Sequence, residues 1–146
     1  MRNILAITKA LSDLNRVRIL CALSERGELC VCQLQELLSL APSSTSKHLS
    51  ILASAGLLSV RKEGRWAYYS VVEGAEIPED AVQVVAWITS QAAKKKAIQQ
   101  DRTRLKEILS YSPEELCQRL TNGQRCCSSA PETHAAARSR KDTLAR

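Results

Sequence analysis

The chain has 146 residues, 45% of them hydrophobic, and a formal net charge of +6 with a pI of about 9.2. This length allows one domain with a proper core but not two large ones, and no apolar run approaches the roughly 18 residues of a membrane span. The basic balance permits a polyanionic partner such as nucleic acid but does not establish one.

Hydrophobic residues at helical spacing predict four short helices in the first part of the chain. Asp13 is a suitable cap for the second helix, and Pro42 suits the first turn of the fourth. Gly27 and Gly56 then end the second and fourth helices, because glycine is favoured just after a helix. The four helices are predicted at residues 4–11, 14–24, 31–38 and 42–55.

Beyond Gly56 the pattern changes to two apolar stretches around a charged turn at Gly64. This pattern predicts a β-hairpin over residues 58–71. The third and fourth helices have the order of a helix-turn-helix, to which the hairpin would add a wing. The predicted fold is therefore mainly α with a small β-hairpin wing, a winged helix-turn-helix.

The rest of the chain is predicted to be helical and then polar. Acidic residues after Pro78 favour the start of a long helix at residues 79–109, with a break near residues 99–102. A short helix follows at residues 112–120. From Thr121 onward Ser, Ala, Arg and other polar residues predominate, which predicts a mobile tail.

The fourth helix and the hairpin carry the candidate DNA-binding residues. Lysine and arginine bind phosphates, whereas side chains that reach base edges determine sequence specificity. Short hydroxyl side chains in the first half of the fourth helix would let it approach the major groove, and arginine in the wing suits a minor-groove or phosphate contact. The candidates are Ser43, Ser44, Ser46, Lys47 and His48 in the helix and Arg61, Lys62 and Arg65 in the wing.

Two cysteines separated by one residue, Cys30 and Cys32, open the third helix. Thiolates are the ligands that soft ions prefer, and a helix N-terminus lowers the pKa of a thiol. Residues two apart on a regular helix point to different sides. Binding of one ion therefore requires the first turn to be non-helical or to distort. Neither cysteine falls in the predicted apolar stripe of the helix, so we expect serine substitutions there to preserve the fold.

The N-terminal sequence and the cysteine content bear on the cellular compartment. Met1 leads directly into an amphipathic segment rather than an apolar signal sequence, so we expect a cytoplasmic protein without a membrane partner. Thiols are kept reduced there, and clustered cysteines then act more readily as ligands or reactive groups than as disulfides. We do not expect an enzyme, because the sequence has no suitably placed Cys–His pair, no phosphate loop and no paired carboxylates.

Several motifs occur in a fixed order along the first half of the chain. They are Ala10-Leu11-Ser12-Asp13, Arg16-Val17-Arg18-Ile19-Leu20, Glu28-Leu29-Cys30-Val31-Cys32, Ser46-Lys47-His48-Leu49, Ala55-Gly56-Leu57-Leu58, Glu63-Gly64-Arg65 and Tyr68-Tyr69. In this order they resemble the ArsR/SmtB family of metal-responsive winged-helix repressors. The resemblance covers roughly residues 4–72, and the long helix takes the position of the family's dimer helix.

The resemblance implies a cytosolic homodimer that binds double-stranded operator DNA, represses an operon and leaves the DNA when it binds an inducer. It also implies a winged-helix domain for DNA binding and dimerisation at residues 1–110. A short helix and a mobile, cysteine-containing tail would follow at residues 111–146.

The resemblance also bears on the inducer. Arsenic-sensing members look like Cys-Val-Cys-x-x-Cys, but this chain has Gln35 at the third position, and an amide is a poor ligand for a soft ion. Trivalent arsenic and antimony favour three thiolates. Some related sensors complete the cysteine pair with cysteines from the other subunit's terminal extension. By this analogy, Cys126 or Cys127 is preferred to Cys117 as the third ligand.

The leading prediction is thus a repressor released by As(III) or Sb(III) bound to cysteine thiolates. A sensor of cadmium, lead or zinc is an alternative on the same fold, although the zinc site of the dimer helix is absent because neither His48 nor His134 lies in that helix. A third alternative is a thiol-redox or persulfide switch. Disulfides across such short spacings would be strained, which weighs against it.

Overall fold

The computed structural model describes residues 2–74 and 77–121. This part of the chain is mainly helical, with one three-stranded antiparallel sheet of order β1-β3-β2, in agreement with the predicted fold class. None of its helices is both long and apolar enough to cross a membrane. The elements in chain order are α1 (Arg2–Leu11), α2 (Leu14–Arg26), β1 (Glu28–Cys30), α3 (Val31–Leu38), α4 (Pro42–Ser54), β2 (Leu58–Glu63), β3 (Trp66–Val71), α5 (Glu79–Ala92), α6 (Lys96–Ile108) and α7 (Pro113–Thr121).

Local capping explains where the helices of the helix-turn-helix region begin and end. The Asp13 carboxylate accepts hydrogen bonds from the backbone N–H groups of Asn15 (2.8 Å) and Arg16 (3.3 Å) at the start of α2. Gly27 ends α2 with a φ of 85°, a conformation that favours glycine. Pro42 occupies the first turn of α4. The predicted ends of α2, α3 and α4 lie within two residues of the observed ones.

The sheet contains a strand that the sequence analysis did not predict. β1 pairs antiparallel with β3, so that Glu28 lies opposite Ser70 and Cys30 opposite Tyr68. β2 pairs with the other side of β3, with Arg61 opposite Tyr68. The wing is therefore a three-stranded sheet rather than the predicted two-stranded hairpin. A strand of three residues shows too little alternation to be recognised from the sequence alone.

The predicted long C-terminal helix is two helices, and its predicted break was placed too late in the chain. α5 ends at Ala92 and α6 begins at Lys96, before residues 99–102. Lys95 has an extended backbone (φ −81°, ψ 142°) where α6 begins. The interruption coincides with three consecutive exposed lysines, which offer no apolar side chain to bury.

A largely buried ion pair holds α6 against the helix-turn-helix. Arg18 of α2 donates to both carboxylate oxygens of Asp101 on α6, at 2.8 Å each. The same guanidinium donates to the carbonyl of Leu37 at the end of α3 (3.2 Å). α7 also packs on α3, with Leu116 buried. α3 is thus enclosed by α2, α4, α6 and α7, which positions its first turn within the core.

Candidate thiol site and nucleic-acid interface

The candidate thiol ligands lie at the junction between the wing and the helix-turn-helix. Cys30 is the last residue of β1 and the N-cap of α3, and Cys32 is the second residue of α3. Both are 0% exposed and belong to the main hydrophobic core. The expectation that they lie outside the packed face is therefore wrong. Neighbouring elements enclose α3 so fully that all of its residues except Glu36 are buried.

The backbone at Cys30 avoids the conflict expected for two cysteines two residues apart on a helix. Cys30 is extended (φ −84°, ψ 163°), so it stands before the first helical turn. Its backbone N–H donates to the side-chain oxygen of Gln33 (2.9 Å), and its sulfur accepts from the backbone N–H of Gln33. This reciprocal arrangement is a capping box. It leaves the side chains of Cys30 and Cys32 close enough to hydrogen-bond to each other.

The same hydrogen bonds make the Cys30 thiol acidic. The hydrogen bond with the Cys32 side chain is the largest cause that lowers the pKa of Cys30 to about 7, and backbone N–H groups lower it further against the opposing effect of burial. Thiolate is therefore populated near neutral pH, and thiolate is the form that binds soft ions. Burial instead raises the pKa of the Cys21 thiol, a core residue of α2.

The thiol pair has no third ligand among the described residues. No group of three His, Cys, Asp or Glu side chains there could hold a metal ion. The predicted ligands Cys126 and Cys127 lie outside the described part of the chain. Cys117 of α7 packs against the core. Gln35 is 4% exposed, and its side-chain oxygen has no hydrogen-bond partner in the part described.

The predicted DNA-binding residues of α4 differ in their exposure. Ser43, Ser44 and Lys47 are exposed on the first two turns, and Ser46 is half-buried. The half-buried His48 turns toward the start of α2, where its Nδ1 lies 3.5 Å from an Arg16 guanidinium nitrogen and 3.9 Å from an Asp13 carboxylate oxygen. The sequence showed no sign of these contacts, because they join residues more than thirty positions apart. A base contact by His48 stays a prediction.

The three predicted cations of the wing are all exposed, but they are not equivalent. Arg61 donates to Glu28 on β1 (2.6 and 3.2 Å) and to Glu63 on its own strand (2.6 Å). Lys62 and Arg65 form no ion pair with any residue that the structure describes. Unlike Arg61, they can therefore bind a DNA phosphate without first breaking an ion pair with a described residue. The sequence analysis missed Glu28, because its role depends on the unpredicted strand β1.

Comparison with known proteins identifies the family to which this winged helix-turn-helix belongs. The family model described as "Bacterial regulatory protein, arsR family" matches residues 13–60, from the cap of α2 into β2. The chain is 40% identical over 85 residues to the arsenical resistance operon repressor of Escherichia coli strain K12, an alignment that covers 57% of this chain and 71% of that protein. The chain belongs to the ArsR family. It is therefore a winged helix-turn-helix, DNA-binding transcriptional regulator of a non-enzymatic family.

The chain is also similar to a further curated protein and to a solved structure. The cadmium resistance transcriptional regulatory protein CadC homolog of Staphylococcus aureus is 43% identical over 65 residues, which cover 44% of this chain and 54% of that protein. Among solved structures, HlyU from Vibrio cholerae N16961 matches with a TM-score of 0.54 and 26% identity over 64% of this chain and 95% of that one. The structural match supports the winged-helix fold. The curated protein is named for cadmium resistance, and the name HlyU refers to no ion.

Proposed function

We propose that this ArsR-family regulator is a transcriptional repressor that trivalent arsenic or antimony releases from its operator. The inducer binds the thiolates of Cys30 and Cys32. The observation that carries the proposal is the hydrogen-bonded thiol pair, with the pKa of Cys30 lowered to about 7, at the first turn of α3. Two adjacent soft donors suit a soft ion. The similarity to an arsenical resistance repressor supports the choice of ion.

The position of the pair suggests how binding reaches DNA. Each sulfur that binds arsenite replaces one hydroxide, which leaves as water with the thiol proton. The hydrogen bond between Cys30 and Cys32 is then lost, since both sulfurs bind the same ion. α3 packs directly on α4, and α4 carries the exposed Lys47. A change in the first turn of α3 therefore shifts the surface on which α4, the helix proposed to enter the major groove, is packed.

Exposed apolar side chains support a homodimer. Leu5 of α1 is 61% exposed and Trp87 of α5 is 62% exposed, together with Ile4 and Val84. Such side chains on two helices favour burial against a second copy. We propose a cytoplasmic homodimer through α1 and α5, within a winged-helix domain of residues 1–110. The segment that follows, a short helix and a cysteine-containing tail at residues 111–146, would supply Cys126 or Cys127 as the third thiolate, from the same subunit or its partner.

Cadmium is the second candidate inducer. It too is bound by thiolates, and the cadmium resistance regulator from Staphylococcus aureus is 43% identical over its aligned part. Lead would use the same donors, whereas zinc is usually held by four ligands, two more than this pair supplies. A thiol-redox switch is less favoured, because a disulfide between residues two apart closes a very short loop.

A titration of the DNA complex with five ions distinguishes these inducers. Purified protein is bound to a labelled fragment from upstream of its own gene and titrated with arsenite, antimonite, cadmium, lead and zinc under reducing conditions. We expect arsenite and antimonite to release the DNA at the lowest concentrations. Release by cadmium or lead at lower concentrations would replace the proposed inducer, and release only by oxidants would replace the proposed chemistry.

A further inference from the structure

One face of the wing sheet carries a row of three side chains, one from each strand. Cys30 of β1 lies opposite Tyr68 of β3, and Tyr68 lies opposite Arg61 of β2. Directly opposed residues of antiparallel strands share a face, with Cβ atoms about 4.5–5.5 Å apart. The row therefore runs without interruption from the thiol pair to the opposite edge of the wing.

Contacts between the side chains tie this row together. The guanidinium carbon of Arg61 lies 4.8 Å from the centre of the Tyr68 ring, within the range of a cation–π contact. Glu28 precedes Cys30 by two residues, so both share a face of β1. Glu28 accepts from two nitrogens of Arg61, and the ion pair spans the central strand β3. Arg61 thus joins the strand that carries Cys30 to the strand that leads to the wing tip.

We propose that Tyr68 and the Glu28–Arg61 pair are positioning residues that transmit inducer binding at Cys30 to the wing. The proposal rests on the proposed function. Cys30 is both the end of β1 and the cap of α3, so an ion that draws its sulfur toward Cys32 acts on both elements. The shift of β1 reaches Arg61 through Glu28 and the Tyr68 ring. Arg61 directly precedes Lys62, one of the two wing cations with no ion pair in the described residues.

The transmission gives a second route from the thiols to DNA, alongside the packing of α3 on α4. Such a route is measured as a coupling ratio, the affinity for DNA without arsenite divided by the affinity with saturating arsenite. Substitutions at Tyr68, Glu28 or Arg61, none of which binds the inducer, should change this ratio without changing the affinity of the free protein for arsenite. A residue that only stabilises the fold would not separate the two quantities.

The test uses full-length protein, a labelled DNA fragment from upstream of its gene, and fluorescence anisotropy with and without arsenite. We expect Glu28→Gln and Tyr68→Leu each to lower the coupling ratio roughly two- to fivefold, the size of an exposed ion-pair or cation–π contact. Tyr68→Phe keeps the ring and should retain the parent ratio. Glu25→Gln is the matched control, because it breaks an exposed pair with Arg102 (2.9 Å) that lies outside the row.

The outcomes separate the inference from the proposed function. If arsenite binds the parent protein and releases it from DNA, and releases Glu28→Gln and Tyr68→Leu equally well, the inference alone is overturned. A parent that arsenite does not release contradicts the proposed function and the inference with it. If Tyr68→Leu fails to fold, the exposed Glu28→Gln variant decides. An equal loss of coupling in Glu25→Gln would also overturn the inference, because the effect would then be one of surface charge.

Discussion

Cys30→Ser should remove the inducer response while preserving the fold, for a reason specific to its position. Cys30 is the N-cap of α3, and its sulfur accepts the Gln33 backbone N–H within a capping box. Serine is among the preferred N-cap residues, and Ser-x-x-Gln is a typical capping-box sequence. The substituted hydroxyl would therefore meet hydrogen-bond partners although the site is fully buried.

The expected loss of folding stability follows from comparing Cys30→Ser with Cys30→Ala and Cys32→Ser. Loss of an N-cap side chain costs about 0.5–2 kcal/mol, so Cys30→Ala should be less stable than Cys30→Ser by about that amount. Cys32 lies inside the first turn and is also 0% exposed, where a hydroxyl has no capping role. Cys32→Ser therefore gains no capping hydrogen bond to offset the burial of its hydroxyl, and should be less stable than Cys30→Ser. The stability of Cys30→Ser should stay within about 1 kcal/mol of the parent.

Urea unfolding followed by circular dichroism at one fixed protein concentration measures these differences. The free energy of unfolding falls by about 1–3 kcal/mol per molar urea. The urea concentrations at which the alanine and serine variants of Cys30 are half unfolded should therefore differ measurably. If Cys30→Ser is less stable than Cys30→Ala, the cap assigned to this residue is wrong. If Cys30→Ser still releases DNA with arsenite, the inducer site is wrong although the cap is right.

The pH dependence of folding stability gives a second test of the same variant. The pKa of Cys30 is lowered to about 7 in the folded protein, below that of an unfolded thiol at about 8.5. The unfolded state binds more protons across this window, so stability rises with pH and is lost as pH falls through about 7. Cys30→Ser, which has no thiol to titrate at this position, should lack most of this rise.

The remaining predictions concern DNA and the tail. Lys47→Ala and Arg65→Ala should each weaken DNA binding and lower the slope of log affinity against log salt by about 0.9, whereas Lys94→Ala, outside the helix-turn-helix and wing, should leave the slope unchanged. Unaltered slopes in both variants would contradict the assigned DNA surface. Cys126→Ser combined with Cys127→Ser should blunt the arsenite response. If the double variant responds like the parent in the release titration, the tail supplies no ligand.

Local signals in the sequence were enough to predict the helix-turn-helix. Asp13, Gly27 and Pro42 act within one turn of the helix ends that they determine, so their effect is visible without any tertiary context. The wing strands β2 and β3 were recognised for the same reason, since the charged turn at Gly64 joins two alternating stretches. The capping geometry that places the two thiols together was foreseen only as a requirement for a non-helical first turn.

The features that were missed depend on residues far apart in the chain. β1 exists because β3 offers it an edge about forty residues later, and three residues carry no periodicity of their own. Cys32 is buried because helices that precede and follow α3 along the chain pack around it, and not because it lies in the apolar stripe of α3. The pairing of Arg18 with Asp101 joins positions 83 residues apart. No local pattern could have indicated it.

The central claim is that arsenite bound to the Cys30–Cys32 pair releases the regulator from DNA. The most direct measurement is a reversible release experiment on the parent protein and Cys30→Ser, each bound to the same labelled DNA. We predict that arsenite releases the parent, that a small dithiol in excess then removes the arsenite and restores binding, and that Cys30→Ser stays bound throughout. Arsenite-driven release of Cys30→Ser, or a parent that never leaves the DNA, would contradict the claim.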